Sequence, residues 1–530
     1  KNVLEMTLSG KRLNPKYQFL PIDTKYFKDL ELEILGLFDD LDNSLDGWLI
    51  KSENYQALNT ILPKFREKVQ TIYIDPPYNT GSDEFLYIDK YQSSSWLTMM
   101  ENRLNLAKEL MRGDGVIFIS IGDTVKSNIR VTSTSKLVSL LDNVFNEYNF
   151  IALLVRKSGI APRQDIKHIA IAHDFVVCYG KNFDLAKINK RPASSERYKM
   201  VDEYIETRGK FALNKLDRGS IHYSPDLVYP IIAPDGTEIW PGGEKGGRKG
   251  WTWRWSKGKV EWGIKNGFIV FRKGKNGNWS VYFKEYEFVD NEGNPKERTN
   301  PYDTFIMEAT NEKGNEDIEN LFRERLFEYP KPVLLLELLL RIGCTNNSII
   351  LDFFAGSGTT AHAVMKLNKE DGGKRKFILV EMADYFYKVI IPRLKKIAYS
   401  FSWKDGKPQV NDGIGIFLKY YELEQYEDTL RKVKYEDSDL FENPYADPYN
   451  QYIFMKDLKM LSALEIDYEN NKVKVDLEKL YPNIDIAETL SNLLGKWIKK
   501  ITPEWVEFED GERINIKNLD YKLIKPLIWW

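Results

Sequence analysis

Asp75 and Tyr78 flank two consecutive prolines in YIDPPYNTGSDEF (Tyr73–Phe85), where an apolar run ends. Proline has no amide hydrogen for a sheet ladder and its ring fixes φ, so the pair closes a strand and starts a stiff loop. A plain turn needs neither a carboxylate nor an aromatic ring, whereas a site that grips a flat polar ring needs both. The chemistry within reach is that of an exocyclic amino group. Asp75 would accept one N–H, the Pro76 carbonyl, held by Pro77, a second, and Tyr78 would stack on the ring. Such a nitrogen is a poor nucleophile because its lone pair is delocalised. Two acceptors draw it toward tetrahedral geometry and aim the lone pair at a donor, which is catalysis by positioning and electrostatics.

A second motif, SIILDFFAGSGTTAHAV (Ser348–Val364), reads as strand, glycine turn and helix. Gly356 and Gly358 let the backbone pass close to a ligand, and Thr359 and Thr360 open a helix whose first N–H groups suit a polar or anionic group. GxxxxGK[ST] is absent, as is the third glycine of GxGxxG. Alone, the pattern is equally a tight turn between strand and helix. About 20 residues beyond it, KFILVEM ends a strand at Glu381, where α/β nucleotide folds place the acid that accepts ribose hydroxyls. A surface glutamate at a strand end looks the same. If the turn binds an adenosyl cofactor, the Asp75 loop faces the same cleft, because open α/β sheets bind ligands beyond the carboxyl ends of their strands. A nucleobase target must then be flipped out of its duplex.

The elements that position these motifs form three α/β blocks. In the first, Asp46–Asp123, SENYQALNTIL is a helix with Ser52 as N-cap and Pro63 near its end. VQTIYID is a buried strand, SSWLTMMENRLNLAKELMR an amphipathic helix and GVIFISIGD another strand. YNFIALLVRKSG and HDFVVCYGKN give two β segments, and Pro332–Ser402 alternates helix, strand, helix and strand. Lys181–Tyr329 is different, rich in Gly, Trp, Tyr and Lys with short β runs such as GFIVFRK and WSVYFKEYEF, and reads as an inserted domain. Beyond Trp403 the chain turns acidic and tyrosine-rich, and AETLSNLLGKWIKKI is a possible helix.

Charge is balanced overall, with 76 Lys+Arg against 78 Asp+Glu, but unevenly spread. Lys245–Lys275 holds ten Lys/Arg and one acid, Glu261, and EKGGRKGWTWRWSKGKVEW interleaves Lys245, Arg248, Lys249, Arg254, Lys257 and Lys259 with tryptophans. That composition suits phosphate contacts, while Trp251, Trp253 and Trp255 read equally well as one face of a core strand. Two cysteines exclude a disulfide framework and fit a reducing compartment. The four histidines are scattered and suggest no metal site. PVLLLELLLRIG is too short to span a bilayer and carries Glu337, so the expectation is a cytoplasmic protein with no membrane partner.

Together these motifs resemble the β class of DNA amino-methyltransferases, in which DPPY precedes the FxGxG cofactor loop. More narrowly, the chain is similar to the modification subunit of type III restriction–modification systems. DPPYNTG, SSWLTMMENRLNLAKELM, GVIFISIGD, HDFVVCYGKN, WTWRWSKGKVEWGIKNGFIVF, YPKPVLLLELL, LDFFAGSGTTAHAV and FILVEM carry the likeness over about Asp46–Ser402. The resemblance implies a Rossmann-like, S-adenosyl-L-methionine-dependent methyltransferase sheet with circularly permuted motif order, an inserted target-recognition domain and a C-terminal α+β extension. Its segments would be 1–45, an N-terminal part; 46–180, the catalytic half; 181–329, target recognition; 330–402, the cofactor half; and 403–530, the C-terminal domain. Asp75, Pro76, Pro77 and Tyr78 would be catalytic, and Asp352, Phe354, Ala355, Gly356, Ser357, Gly358, Thr359 and Glu381 would hold the cofactor. The expected reaction methylates N6 of a flipped adenine in double-stranded DNA; cytosine N4, or a non-catalytic recognition subunit, are the alternatives. The expected partners are a second copy and a restriction subunit carrying motor and nuclease. TVKSNIRVTSTSKLVSLLDNVF, after Asp123, is more polar and β-branched than the helix the family leads one to expect.

Overall fold

The computed structural model describes residues 4–519 except 8–9, 79–92, 127–128, 132, 160–168, 220–222, 276, 426–462, 468–471 and 482, and also Leu523. The tail of DPPYNTG and most of the acidic, tyrosine-rich segment therefore lie outside the described residues. The chain divides into two compact units, Lys1–Asn189 with Asp303–Trp530, and Lys190–Tyr302.

The first unit is built on a nine-stranded sheet. Its strands are β1 (Gly47–Lys51), β2 (Val69–Ile74), β3 (Met111–Ile121), β4 (Phe150–Lys157), β5 (His173–Gly180), β6 (Phe305–Ile306), β7 (Ile349–Asp352), β8 (Lys376–Glu381) and β9 (Leu418–Glu422). Their order across the sheet is β6-β4-β5-β3-β2-β7-β8-β1-β9. Only β5 runs against its neighbours β3 and β4; the other pairs are parallel. β2 is buried at every position, as a strand covered on both sides must be. Helices α1 (Asn54–Phe65), α2 (Ser93–Leu110) and α3 (Ser133–Phe145) bury their apolar stripes in one cluster with Trp48, Ile72, Ile119 and Val380. α4 (Val333–Gly343), α5 (Thr359–Asp371) and α6 (Ile391–Tyr399) pack in series, α5 touching both others.

The topology fixes the cleft. β2 and β7 are neighbours (Ile350 opposite Thr71), but the next strand in sequence from β2 is β3 on one side, and from β7 it is β8 on the other. Such a reversal opens a crevice beyond the carboxyl ends of the two central strands. Asp75 follows β2 and Asp352 ends β7, so both motifs meet there.

Three local expectations change. α1 is capped by Glu53, whose carboxylate accepts from the Gln56 amide at 3.1 Å, while the Ser52 hydroxyl donates to the Glu53 carbonyl instead. α1 runs on past Pro63 to Phe65, so the proline lies within its last turn rather than marking its end. The C-terminal helix α7 spans only Ile486–Leu494; Gly495 stops it in the left-handed region (φ +69°), and Ile498–Ile501 becomes a strand of a three-stranded antiparallel sheet with Trp505–Phe508 and Arg513–Asn515. The polar segment after Asp123 still supplies α3, because Leu137, Leu140, Leu141, Val144 and Phe145 recur at helical spacing and are buried.

A closed quartet of charges ties α7 to the sheet. Lys64 Nζ lies 2.9 Å from Asp42 Oδ2 and 3.1 Å from Glu488 Oε1, and Lys419 Nζ lies 3.1 Å from Asp42 Oδ1 and 2.6 Å from Glu488 Oε2. Removing one member would strand a buried charge, at about 3–5 kcal/mol. Among the described residues no helix is long and apolar enough to cross a membrane.

The second unit has an antiparallel sheet in which Trp279–Tyr286 lies between Phe211–Lys215 and Ile269–Lys273. Trp253 and Trp255 are buried in its core with Phe268, Phe283 and Tyr286, and Trp251 is half-buried.

Candidate active site

The loop after β2 is fastened at its carbonyls. Trp96 Nε1 donates to the Pro77 carbonyl at 2.9 Å and Ser133 Oγ to that of Tyr78 at 2.6 Å. The Tyr78 ring lies against Gly122, where an added Cβ would come within 3.1 Å of it. One oxygen of Asp75, Oδ2, accepts from Lys331 Nζ at 2.5 Å. The other, Oδ1, is buried and has no hydrogen-bond partner among the described residues, and the same holds for the Tyr78 hydroxyl. Burial, with the negative charge of Asp75 behind it, holds the Tyr78 phenol well above its ordinary range, so it stays a neutral hydroxyl. Two buried polar atoms on one strand-end loop, without partners among the described residues, are costly unless a ligand satisfies them.

Arg156 and Asp174, on β4 and β5, lie within electrostatic range of that hydroxyl. Arg156 Nε donates to Asp174 Oδ1 at 2.6 Å, and its other nitrogens reach the Ala309 carbonyl and Asn311 Oδ1, each at 2.7 Å. Arg156 is 1% exposed, so this fork is a fixed, buried charge pair within range of that hydroxyl.

The polar side chains of the glycine turn after β7 are engaged by contrast, and among the described residues only Nε of Arg393, packed against the turn, is buried there without a partner. Gly356 (φ +53°) and Gly358 (φ +76°) occupy the left-handed region, and a Cβ on Gly356 would stand 3.1 Å from the Phe327 ring. Asp352 accepts from the Phe354 amide at 3.1 Å and from the Thr360 hydroxyl. Glu381 accepts the Gly356 amide at 2.8 Å through one oxygen and the Ala383 amide at 2.9 Å through the other. Arg393, fully buried, donates to the Ser357 carbonyl (3.1 Å), Ser357 Oγ (3.0 Å) and Thr359 Oγ1 (3.0 Å) and contacts His362 Nδ1 at 3.2 Å. Burial pushes the Asp352 carboxyl up to about 7, the charges of Asp75 and Glu381 adding to it and the Thr360 and Phe354 hydrogen bonds opposing it.

All eight residues expected to hold a cofactor thus fall on one turn and the adjoining strand end, beside the four of the Asp75 loop. Lys331, Arg156, Asp174 and Arg393 escape any reading by spacing, since each is far in sequence from what it touches. Lys331 alone carried a local sign, standing between Pro330 and Pro332, which restrict its backbone. Of the six basic residues singled out for phosphate contacts, all in the second unit, Lys245, Arg248, Lys249, Arg254 and Lys257 are exposed. Lys259 is half-buried, pairs with Glu292 and lies over the Trp255 ring at 4.9 Å.

The family described as DNA methylase matches residues 69–392, well over half the chain. The type III restriction-modification enzyme EcoPI Mod subunit of Escherichia phage P1 is 29% identical over 418 residues, covering 67% of this chain and 59% of that protein. The StyLTI Mod subunit of Salmonella typhimurium is 29% identical over 364 residues, covering 62% of this chain and 51% of that protein. The type II methyltransferase M.KpnI of Klebsiella pneumoniae is 30% identical over 348 residues, covering 62% and 77%. The chain thus spans between half and three-fifths of the length of the two Mod subunits.

Proposed function

We propose, starting from the fact that this chain belongs to the DNA methylase family, that it transfers a methyl group from S-adenosyl-L-methionine to N6 of an adenine flipped out of duplex DNA. The observation that carries this reading is the pair of atoms buried without partners among the described residues, Asp75 Oδ1 and Tyr78 Oη, at the switch point beside a preformed glycine turn. An amino group entering there finds one acceptor in Oδ1 and a second in the Pro76 carbonyl, to which no described residue donates. The Tyr78 ring, backed by Gly122, offers the stacking surface.

The cofactor fits the residues present. The left-handed glycines leave a cradle that a Cβ on Gly356 would narrow, and the acids Asp352 and Glu381 suit a ligand with positive charge and ribose hydroxyls. When bound, S-adenosyl-L-methionine supplies an electrophilic methyl on a sulfonium. Gly356, Ser357, Gly358 and Thr359 would then hold its methionine part and Glu381 its ribose, while Asp75 and Pro76 orient the acceptor nitrogen and Asp75 Oδ1 receives its departing proton.

The target-recognition segment expected over 181–329 contains the compact unit Lys190–Tyr302, which is proposed as its core, with Lys245, Arg248, Lys249, Arg254 and Lys257 on DNA phosphates. The relatives named as Mod subunits support a modification role in a type III system, with a second copy and a motor–nuclease subunit as partners in the cytoplasm. The test is to incubate the chain with S-adenosyl-L-methionine and unmethylated mixed-sequence duplex, digest to nucleosides and weigh the modified base. N6-methyladenine that disappears with Asp75→Ala supports the reading. N4-methylcytosine would move the target, and no modified base would favour a recognition subunit.

A further inference from the structure

Lys331 touches both halves of the cleft. Its ammonium lies 2.5 Å from Asp75 Oδ2 and 5.2 Å from the centre of the Tyr78 ring. Its own carbonyl accepts from Thr359 Oγ1 at 3.1 Å, and Thr359 is the first residue of α5, held in turn by Arg393. The lysine side chain is 13% exposed. One carboxylate oxygen of Asp75 is thereby taken, and Oδ1 is left buried without a partner among the described residues.

We propose that Lys331 is a positioning residue for methyl transfer, locking the Asp75 carboxylate so that Oδ1 alone meets the amino group of the flipped base. The proposal rests on the methyltransferase reading of this site. The terminal torsion of aspartate is broad and two-fold, so an unheld carboxylate aims neither oxygen. Methyl transfer needs its reacting atoms about 3–3.5 Å apart, and a displacement of about 1 Å can cost 10²-fold. Since the backbone of Lys331 is tied to the helix opening the cofactor turn, the same residue sets the distance between the two halves.

The lysine charge has a second consequence. As the amino nitrogen forms its bond to the methyl carbon, the electron pair of the breaking S–C bond stays on sulfur, and positive charge passes to nitrogen. That nitrogen then keeps the electron pair of one N–H bond, and the proton leaves toward Asp75 Oδ1 and solvent. A fixed ammonium beside Asp75 disfavours a second cation in the cleft and so favours this loss.

The test compares the full chain with Lys331→Met, which keeps the stem and removes the charge, and Lys331→Arg, which restores a cation. Single-turnover methylation of duplex DNA is measured beside affinity for S-adenosylhomocysteine by calorimetry, with melting temperature as the folding control. Lys331→Met is expected to slow the single turnover about 10²-fold while cofactor affinity stays within about threefold, and Lys331→Arg to recover about tenfold of that loss. A Lys331→Met rate within about threefold of the parent, or a loss matched by an equal loss of cofactor affinity, overturns the proposal. A parent chain that methylates no base overturns the reading of the site itself, and the lysine proposal with it.

Discussion

The two loops that meet at the switch point differ in how their polar atoms are occupied. Around the glycine turn, Asp352, Glu381, Ser357 and Thr359 are all engaged, and a buried arginine braces the turn from beneath. The Asp75 loop is equally well fastened through the Pro77 and Tyr78 carbonyls, yet it leaves Asp75 Oδ1 and the Tyr78 hydroxyl buried and unpaired among the described residues. The first arrangement is a finished holder. The second stores an unmade hydrogen bond, whose cost of about 1–3 kcal/mol is recovered when a donor arrives. On the proposed reading, binding and chemistry are thereby separated between neighbouring strands, and substitutions on the two loops should separate as well.

The largest expected effect is on the unfinished loop. Asp75→Asn keeps the shape but replaces a charged acceptor, and single-turnover methylation should fall about 10²–10³-fold with cofactor affinity unchanged. A matching loss of cofactor affinity would erase the contrast between the loops. On the finished loop, Gly356→Ala forces a Cβ into the left-handed region, 3.1 Å from Phe327. A turn that relaxes to escape strain of about 1–2 kcal/mol must be restored on binding, which should weaken S-adenosylhomocysteine about 5–30-fold in calorimetry, while the rate at saturating cofactor stays near that of the parent. Tyr78→Phe sharpens the comparison. Removing a buried hydroxyl that lacks a partner among the described residues should raise the unfolding free energy of the DNA-free protein by about 1 kcal/mol in urea titration, and Tyr78→Ala should lose methylation through the missing stack. A destabilised Tyr78→Phe would mean that the hydroxyl has a partner after all.

The placing of both motifs at strand ends was legible in the sequence, for a physical reason. Chemistry placed at strand ends needs residues that break ladders and turn tightly, and Pro76, Pro77, Gly356 and Gly358 announce that locally. The sheet was legible because Val69–Ile74 and Lys376–Glu381 are apolar runs of strand length. What spacing could not show is long-range pairing. Lys331 meets Asp75 across 256 positions, and Arg393 meets Ser357 across 36. Nor does composition separate a phosphate-binding lysine from a paired one, so Lys259 looked like its neighbours until Glu292 came beside it. The tryptophans of WTWRW left two readings open, and burial decides for the core at Trp253 and Trp255 while Arg254 between them stays exposed.

The smallest expected effect concerns Asp352, whose carboxyl burial pushes up to about 7. Because the folded protein binds this proton more tightly than the unfolded chain, the group favours folding at low pH, and that contribution is lost as pH rises from about 4 to about 7. A positively charged cofactor acts in the opposite sense, favouring the ionised carboxylate and lowering its pKa. Cofactor affinity should therefore tighten as pH rises through 7 and level off above 8, by about threefold in all. Isothermal titrations between pH 6 and 8 should show this slope with S-adenosyl-L-methionine, a shallower one with S-adenosylhomocysteine, which lacks the sulfonium charge, and none with Asp352→Asn. An equal slope for both ligands would mean that the buried acid does not sense the charge that distinguishes them, and the glycine turn would then be a holder by shape alone.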